Sequence, residues 1–285
     1  MPNTMTAELA GAFVPPRRLD SRKGRNGRVL VVGGGRIYHG APALAAMAAL
    51  RSGADLAYAA VPNIMADAVR AASCDLIVIP MADQKLTRGA ASQLAGAIPK
   101  GMDSAAVGMG LSVTDGLGVL LGRLVDMDVR VVLDAGALLP HALEHIGDKN
   151  CILTPHAGEF RRLFGSEPPD DTASRAELVS AKAVECGATI LLKGPTDVIS
   201  DGRRTYVNTG EVPAMTAGGT GDILSGIAAG ILARNRSGVE AAAAAAYINK
   251  RAGALAQRDV GYHMVASDLI PLIPRVMGPL DRTAS

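Results

Sequence analysis

A glycine-dense run, Thr216-Ala217-Gly218-Gly219-Thr220-Gly221-Asp222, stands immediately before the apolar stretch Ile223-Leu224-Ser225-Gly226-Ile227. Glycines let backbone N–H groups approach a ligand with no Cβ in the way. The apolar stretch reads as a helix. The free N–H groups of its first turn and the positive end of its dipole make an anion site. Gly218, Gly219, Thr220 and Gly221 thus form an anion hole, suited to a phosphate in transfer or a developing oxyanion. Asp222 at the helix start can take a proton from a substrate hydroxyl or orient that hydroxyl. The plainer alternative is a helix cap, and the glycine density favours chemistry.

The elements that must position these residues alternate between short β-rich runs and longer helical stretches. Strands are expected at Arg28–Val32, Leu56–Val61, Leu76–Ile79, Ala105–Val107, Val129–Leu133, Cys151–Leu153 and Thr189–Leu192. Helices are expected at Ala41–Ser52, opened by Pro42 and stopped by Gly53, and at Ile223–Ala233 and Val239–Arg258. Val198-Ile199-Ser200, Asp201-Gly202 and Thr205-Tyr206-Val207 read as a β-hairpin. Continuous apolar strands between helices imply an α/β fold, a mostly parallel sheet with helices on both faces. Such sheets bind ligands beyond the carboxyl ends of their strands. Gly33-Gly34-Gly35, Gly108-Met109-Gly110, Asp134, His156 and Lys193 each follow an expected strand, so they should converge on one edge.

Composition narrows the class. The chain has 285 residues, 48% of them hydrophobic and only 3% aromatic, without Trp. Its core must therefore close through Ala, Val, Ile and Leu. The run Ala241–Ala246 reads as part of a core helix, since alanine favours helix and permits close approach. A net charge of +2 speaks against nucleic acid and acidic membrane surfaces. The one dense basic group, Arg17 to Arg28, reads as a solvated, loosely ordered segment, or alternatively as a basic rim attracting an anionic substrate. Cys74, Cys151 and Cys186 are too few and too scattered for a disulfide framework or a zinc site, which fits the cytoplasm. No apolar run is long enough to span a bilayer, and no signal-peptide core opens the chain. His141 and His145 lie four apart on an expected helix but lack a third ligand, and read as a surface pair. Neither a dinucleotide fingerprint nor a P-loop is present.

Further segments carry a resemblance. They are Lys23-Gly24-Arg25-Asn26-Gly27, Tyr38-His39-Gly40-Ala41-Pro42-Ala43-Leu44, Leu153-Thr154-Pro155-His156-Ala157-Gly158-Glu159, Leu192-Lys193-Gly194 and Asn208-Thr209-Gly210. With the glycine–aspartate run, the chain resembles the ribokinase-like superfamily. Over roughly residues 20 to 275 it resembles one branch, the ATP- or ADP-dependent NAD(P)H-hydrate dehydratases. The Gly-Ala-Pro and Thr-Pro-His segments together mark that branch. The resemblance implies repair of NADHX and NADPHX in two stages: a nucleotide phosphorylates the ring hydroxyl, then phosphate leaves and the double bond re-forms. It implies that Ala41, Gly110, His156 and Asp222 bind the hydrate. It implies that Lys193, Gly194, Pro195, Thr196, Asp197 and Gly221 bind nucleotide. Asn208 holds either ligand or turn. Lys193 can neutralise phosphate or serve as a structural lysine. Glu159 is either a water-orienting partner of Mg2+ or a solvated first-turn residue.

One departure stands out. The family usually continues the strand before Asp134 with a second acidic residue two positions on, and here Gly136 occupies that place. The expected organisation is an N-terminal extension (1–22), a ribokinase-like domain (23–275) and a C-terminal tail (276–285). That leaves no room for the epimerase domain often joined to this one. A homo-oligomer is expected, and the resemblance suggests a tetramer. The alternatives are a vitamin-precursor kinase of the same fold and a nucleotide-sensing or scaffold protein that has lost catalysis, the latter suggested by Gly136 alone.

Overall fold

A computed structural model describes residues 2–113, 115–146 and 151–284. Its strands are β1 (Asn3–Thr4), β2 (Arg17–Arg18), β3 (Arg28–Val32), β4 (Leu56–Pro62), β5 (Ile77–Met81), β6 (Ser104–Val107), β7 (Arg130–Leu133), β8 (Ile152–Leu153), β9 (Thr189–Leu192), β10 (Asp197–Ser200), β11 (Thr205–Asn208) and β12 (Thr283–Ala284). Its helices are α1 (Ala7–Phe13), α2 (Ala41–Arg51), α3 (Asn63–Ala72), α4 (Arg88–Ala97), α5 (Leu117–Asp126), α6 (Ala157–Phe164), α7 (Thr172–Cys186), α8 (Thr220–Leu232), α9 (Gly238–Val260) and α10 (Ile273–Met277). Ten strands form one sheet in the order β1-β11-β10-β9-β8-β7-β6-β3-β4-β5. All neighbours run parallel except β10, which is antiparallel to β9 and to β11 in the expected hairpin.

The strand period of two divides the core between the faces. Val29, Val31, Ile152 and Leu191 point into the layer made with α2, α8 and α9, whereas Leu30, Val32, Leu153 and Leu192 point into the opposite layer. Ala241–Ala246 is wholly buried in α9, as expected for an aliphatic core with few aromatics. Small residues also set where α8 lies. A Cβ on Gly226 would overlap the backbone of Ala45 in α2, so these two helices touch nearly backbone to backbone. That contact fixes the first turn of α8 relative to β3 and α2.

The N-terminal residues are not a loose appendage. β1 pairs with β11, and Met5, Ala10 and Val14 are buried. Side chains reaching back to the chain hold this segment: Arg234 donates to the Pro15 carbonyl at 2.5 Å and Asn235 to that of Phe13 at 2.8 Å. Arg17 donates to the Gly53 carbonyl and to Asp55, while Arg28 opens β3. Both therefore sit at the N-terminal ends of the strands, away from the functional edge, which removes the basic-rim reading for them. At the other terminus β12 pairs with β2. His141 and His145 lie on a 3-10 turn, Pro140–His145, with Pro140 at its start, and both are exposed. No helix among the described residues is long and apolar enough to cross a membrane.

Candidate active site

Five neighbouring strands deliver the chemistry in spatial order: Lys193 ends β9, Thr154-Pro155-His156 ends β8, Asp134 ends β7, Gly108–Gly110 follows β6 and Gly33–Gly35 follows β3. The convergence expected from strand ends is thus observed. The first turn of α8 faces the same edge, because Ser225, one turn in, donates to Asp134 Oδ2 at 2.7 Å. Asp134 Oδ1 accepts from Lys193 Nζ at 2.9 Å, and Glu159 Oε2 lies 3.6 Å from the same ammonium. Burial alone would favour neutral Lys193, but Asp134 and then Glu159 outweigh it and hold its pKa above the ordinary value.

Asp222 sits in the first turn of α8 beside this network. Burial pushes its carboxyl up to about 7, the negative charge of Asp134 adds to the rise, and Lys193 opposes it. Such a carboxyl can exchange a proton near neutral pH. It is not the helix cap. The N-cap is Gly219, at φ +98°, a conformation that excludes most side chains, and no side chain caps this end. The Thr220 N–H is spent on the Ala217 carbonyl at 3.5 Å, and the N–H groups of Gly221 and Asp222 stay open to an anion. Thr220 contributes differently from Gly218 and Gly221: its hydroxyl donates to the carbonyls of Met215 (2.9 Å) and Ala217 (3.1 Å), tying the preceding turn to α8.

A cleft of about 500 Å³ opens beside this turn. Lys193, Gly194, Pro195 and Asp197 line one side, and Thr220, Gly221 and Leu224 another. Ala246, Asn249 and Lys250 of α9, with residues between Glu211 and Thr216, close it. Thr196 belongs to the same loop but does not line the cleft. Asp197 and Asn208 are both buried and serve the loop itself. Asp197 accepts from the Gly194 N–H (3.1 Å) and Asn208 Nδ2 (3.1 Å), and pairs with Lys250 at 3.1 Å. Burial raises the Asp197 pKa even so, against the pull of Lys250. Asn208 therefore holds the turn.

Ala41, Gly110 and His156 lie outside this cleft. Ala41 opens α2, whose N-cap Gly40 offers no side-chain cap. Gly110, at φ +66°, presses against Tyr38, and a Cβ there would come within 2.7 Å of the Tyr38 Cβ. His156 is both a cap and a presented group. Its Nδ1 accepts the N–H groups of Gly158 (3.0 Å) and Glu159 (3.2 Å), so the neutral ring carries its proton on Nε2. The side chain is 60% exposed, and its Nε2 lies 3.5 Å from Glu159 Oε2. Glu159 returns the cap by accepting the His156 N–H at 2.9 Å. It is buried and is not a solvated first-turn glutamate.

No group of three or more His, Cys, Asp or Glu able to hold a metal occurs among the described residues. Asp134 has both oxygens engaged. So sparse a donor set fits Mg2+ that arrives on nucleotide phosphates and keeps its waters, not a cation caged by protein. Gly136 has a structural cause. Its N–H donates to Gly108 O at 3.2 Å, drawing the turn so close that a Cβ would overlap the Leu111 carbonyl. The missing carboxylate is thus built into the backbone path.

The structure adds Ser225, Asn249 and Lys250 to the site. Ser225 is a polar residue inside an apolar helix, and Asn249 and Lys250 follow the buried alanines of α9, which is the local signal they give.

A family model described as NAD(P)H-hydrate dehydratase matches residues 29–275. A protein of Cenarchaeum symbiosum named ADP-dependent (S)-NAD(P)H-hydrate dehydratase is 65% identical over 272 residues, 95% of each chain. One of the same name from Nitrosopumilus maritimus is 53% identical over 281 residues, 98% of each chain. The crystal structure of ADP/ATP-dependent NAD(P)H-hydrate dehydratase from Bacillus subtilis, co-crystallised with ATP and Mg2+, superposes with a TM-score of 0.85 at 27% identity. The match covers 98% of this chain and 99% of that one.

Proposed function

The chain belongs to the NAD(P)H-hydrate dehydratase family, and from that premise we infer how its site carries out the reaction. It is a nucleotide-dependent lyase that returns hydrated NADH and NADPH to the reduced cofactors. The vitamin-precursor kinase alternative gives way, because relatives sharing more than half of the residues bear the dehydratase name. ADP is the phosphoryl donor in this reading, following the names of those relatives.

Hydroxide leaves carbon poorly, and phosphate leaves well. The ring hydroxyl oxygen attacks the terminal phosphorus of the nucleotide, its proton passes to the Asp222 carboxylate, and AMP departs when ADP is the donor. The carbon–oxygen bond then breaks with its electron pair going to phosphate. The adjacent ring carbon loses a proton to water and the double bond re-forms. The observation that carries this is the Asp222 carboxyl, raised to about 7 beside an uncapped helix start.

Gly218, Gly219 and Gly221 cradle the transferring phosphoryl group, with Thr220 holding the turn. Lys193 offsets its charge. Gly194 and Pro195 follow the nucleotide, and Thr196, Asp197 and Asn208 shape that loop. Ala41, Gly110 and His156 receive the hydrate. Mg2+ supplies charge neutralisation on the phosphates when bound, and Glu159 would hold it through water. The enzyme works in the reducing cytoplasm as a homo-oligomer, a reading supported for the compartment by its free thiols.

Mixing the protein with NADHX, Mg2+ and either ADP or ATP, and following reduced-nicotinamide absorbance, tests this. Nucleotide-dependent recovery of NADH is expected, faster with ADP. A folded protein that binds nucleotide yet recovers none would sink the assignment.

A further inference from the structure

The nucleotide cleft contains a buried polar atom that the protein leaves unsatisfied. Asn249 lies on the face of α9 that closes the cleft and is 6% exposed. Its Nδ2 donates to the Thr220 carbonyl at 3.4 Å, and its Oδ1 has no hydrogen-bond partner. Turning the amide over does not remove the problem, because Oδ1 would then face the Thr220 carbonyl, acceptor against acceptor. A buried acceptor without a donor is costly and uncommon.

Among the described residues none donates to it. Met215, Leu224 and Ala246, which line the same cleft, have side chains without a hydrogen-bond donor. The Lys250 ammonium is committed to Asp197 (3.1 Å) and to the carbonyls of Pro195 (2.8 Å) and Asn208 (3.1 Å). A donor carried by the ligand would satisfy it. Phosphates belong at the first turn of α8 and Lys193, which leaves the aliphatic walls for the base. Asn249 stands about one turn along α9 from Ala246.

We propose that Asn249 Oδ1 accepts a hydrogen bond from the exocyclic amine of adenine and so selects adenine over purines with a carbonyl at that position. The proposal rests on the reading that this cleft holds the donor nucleotide. Adenine presents an N–H there. Hypoxanthine presents a carbonyl oxygen, which would meet Oδ1 as a second acceptor and leave it unsatisfied.

Calorimetric titration of the whole chain with ADP, IDP and 2′-deoxy-ADP tests this, for the wild type and for Asn249→Leu. Leucine keeps the shape and removes the acceptor. Asn249→Ala serves if the leucine variant lacks the wild-type circular dichroism spectrum. The wild type should bind ADP about tenfold more tightly than IDP, and the variant should bring the two within about twofold, mainly by weakening ADP. The proposal is overturned if the wild type binds ADP and IDP alike, or if the preference survives in the variant. It is also overturned if 2′-deoxy-ADP is the weak ligand and the variant erases that loss, since Oδ1 would then read the ribose. A folded wild type that binds none of the three would remove the nucleotide reading of the cleft as well.

Discussion

Asp222→Asn should abolish turnover and yet make the protein more stable, by an amount that depends on pH. The wild-type carboxyl titrates at about 7 in the fold against an ordinary 3.8, because burial and Asp134 disfavour its charged form. That difference is roughly three pH units, and each unit is worth about 1.4 kcal/mol. The sign follows from linkage. Below pH 4 the carboxyl is neutral folded or unfolded and contributes nothing. Between 4 and 7 the unfolded chain ionises first, so the native state loses stability as pH rises. Above 7 the penalty levels off. It should be about 2 kcal/mol at pH 5 and about 4 kcal/mol at pH 8. Asparagine has no charge to bury and escapes it. At roughly 2 °C per kcal/mol for a chain of this size, the variant should melt about 8 °C above wild type at pH 8 and about 4 °C above it at pH 5. Since the chain has no Trp, calorimetry or circular dichroism is the suitable readout. A difference in melting temperature that does not change with pH, or a variant less stable than wild type at pH 8, would refute the reasoning.

Other consequences follow from the same network. Lys250→Met leaves Asp197 buried without its cation, so stability should fall by roughly 3–5 kcal/mol. The KM for nucleotide should rise with little change in kcat, measured by thermal melting and steady-state kinetics. Gly136→Asp restores the acidic residue suggested by resemblance but drives a Cβ into the Leu111 carbonyl. It should lower the melting temperature and leave kcat/KM unimproved, whereas improved activity would show that the turn can yield.

The legible part of this molecule lies where side chains announce themselves locally. Gly33, Gly108, Asp134, His156 and Lys193 each follow an apolar run, and parallel-sheet geometry alone brings them to one edge. Asp222 is marked by the glycines before it. The segment Arg17–Arg28 was less legible because charge density signals solvent exposure. It does not reveal that Arg17 reaches the Gly53 carbonyl and the Asp55 carboxylate, 36 and 38 residues away. Asn208 could not be assigned to ligand or turn until β10 and β11 placed it against Asp197. Ser225, Asn249 and Lys250 acquire partners only once α8 and α9 are folded onto the sheet, and helical periodicity gives no hint of those partners. Gly136 read as a lost carboxylate, and only the backbone path through Gly108 and Leu111 shows why a side chain has no room.

The fate of the ring hydroxyl oxygen tests the central claim most directly. NADHX carrying 18O in that hydroxyl, turned over with ADP, should yield NADH and inorganic phosphate bearing one 18O, because the oxygen is phosphorylated before it leaves. Unlabelled phosphate, with the 18O recovered in water, would mean that the hydroxyl departs without being phosphorylated and would contradict the account.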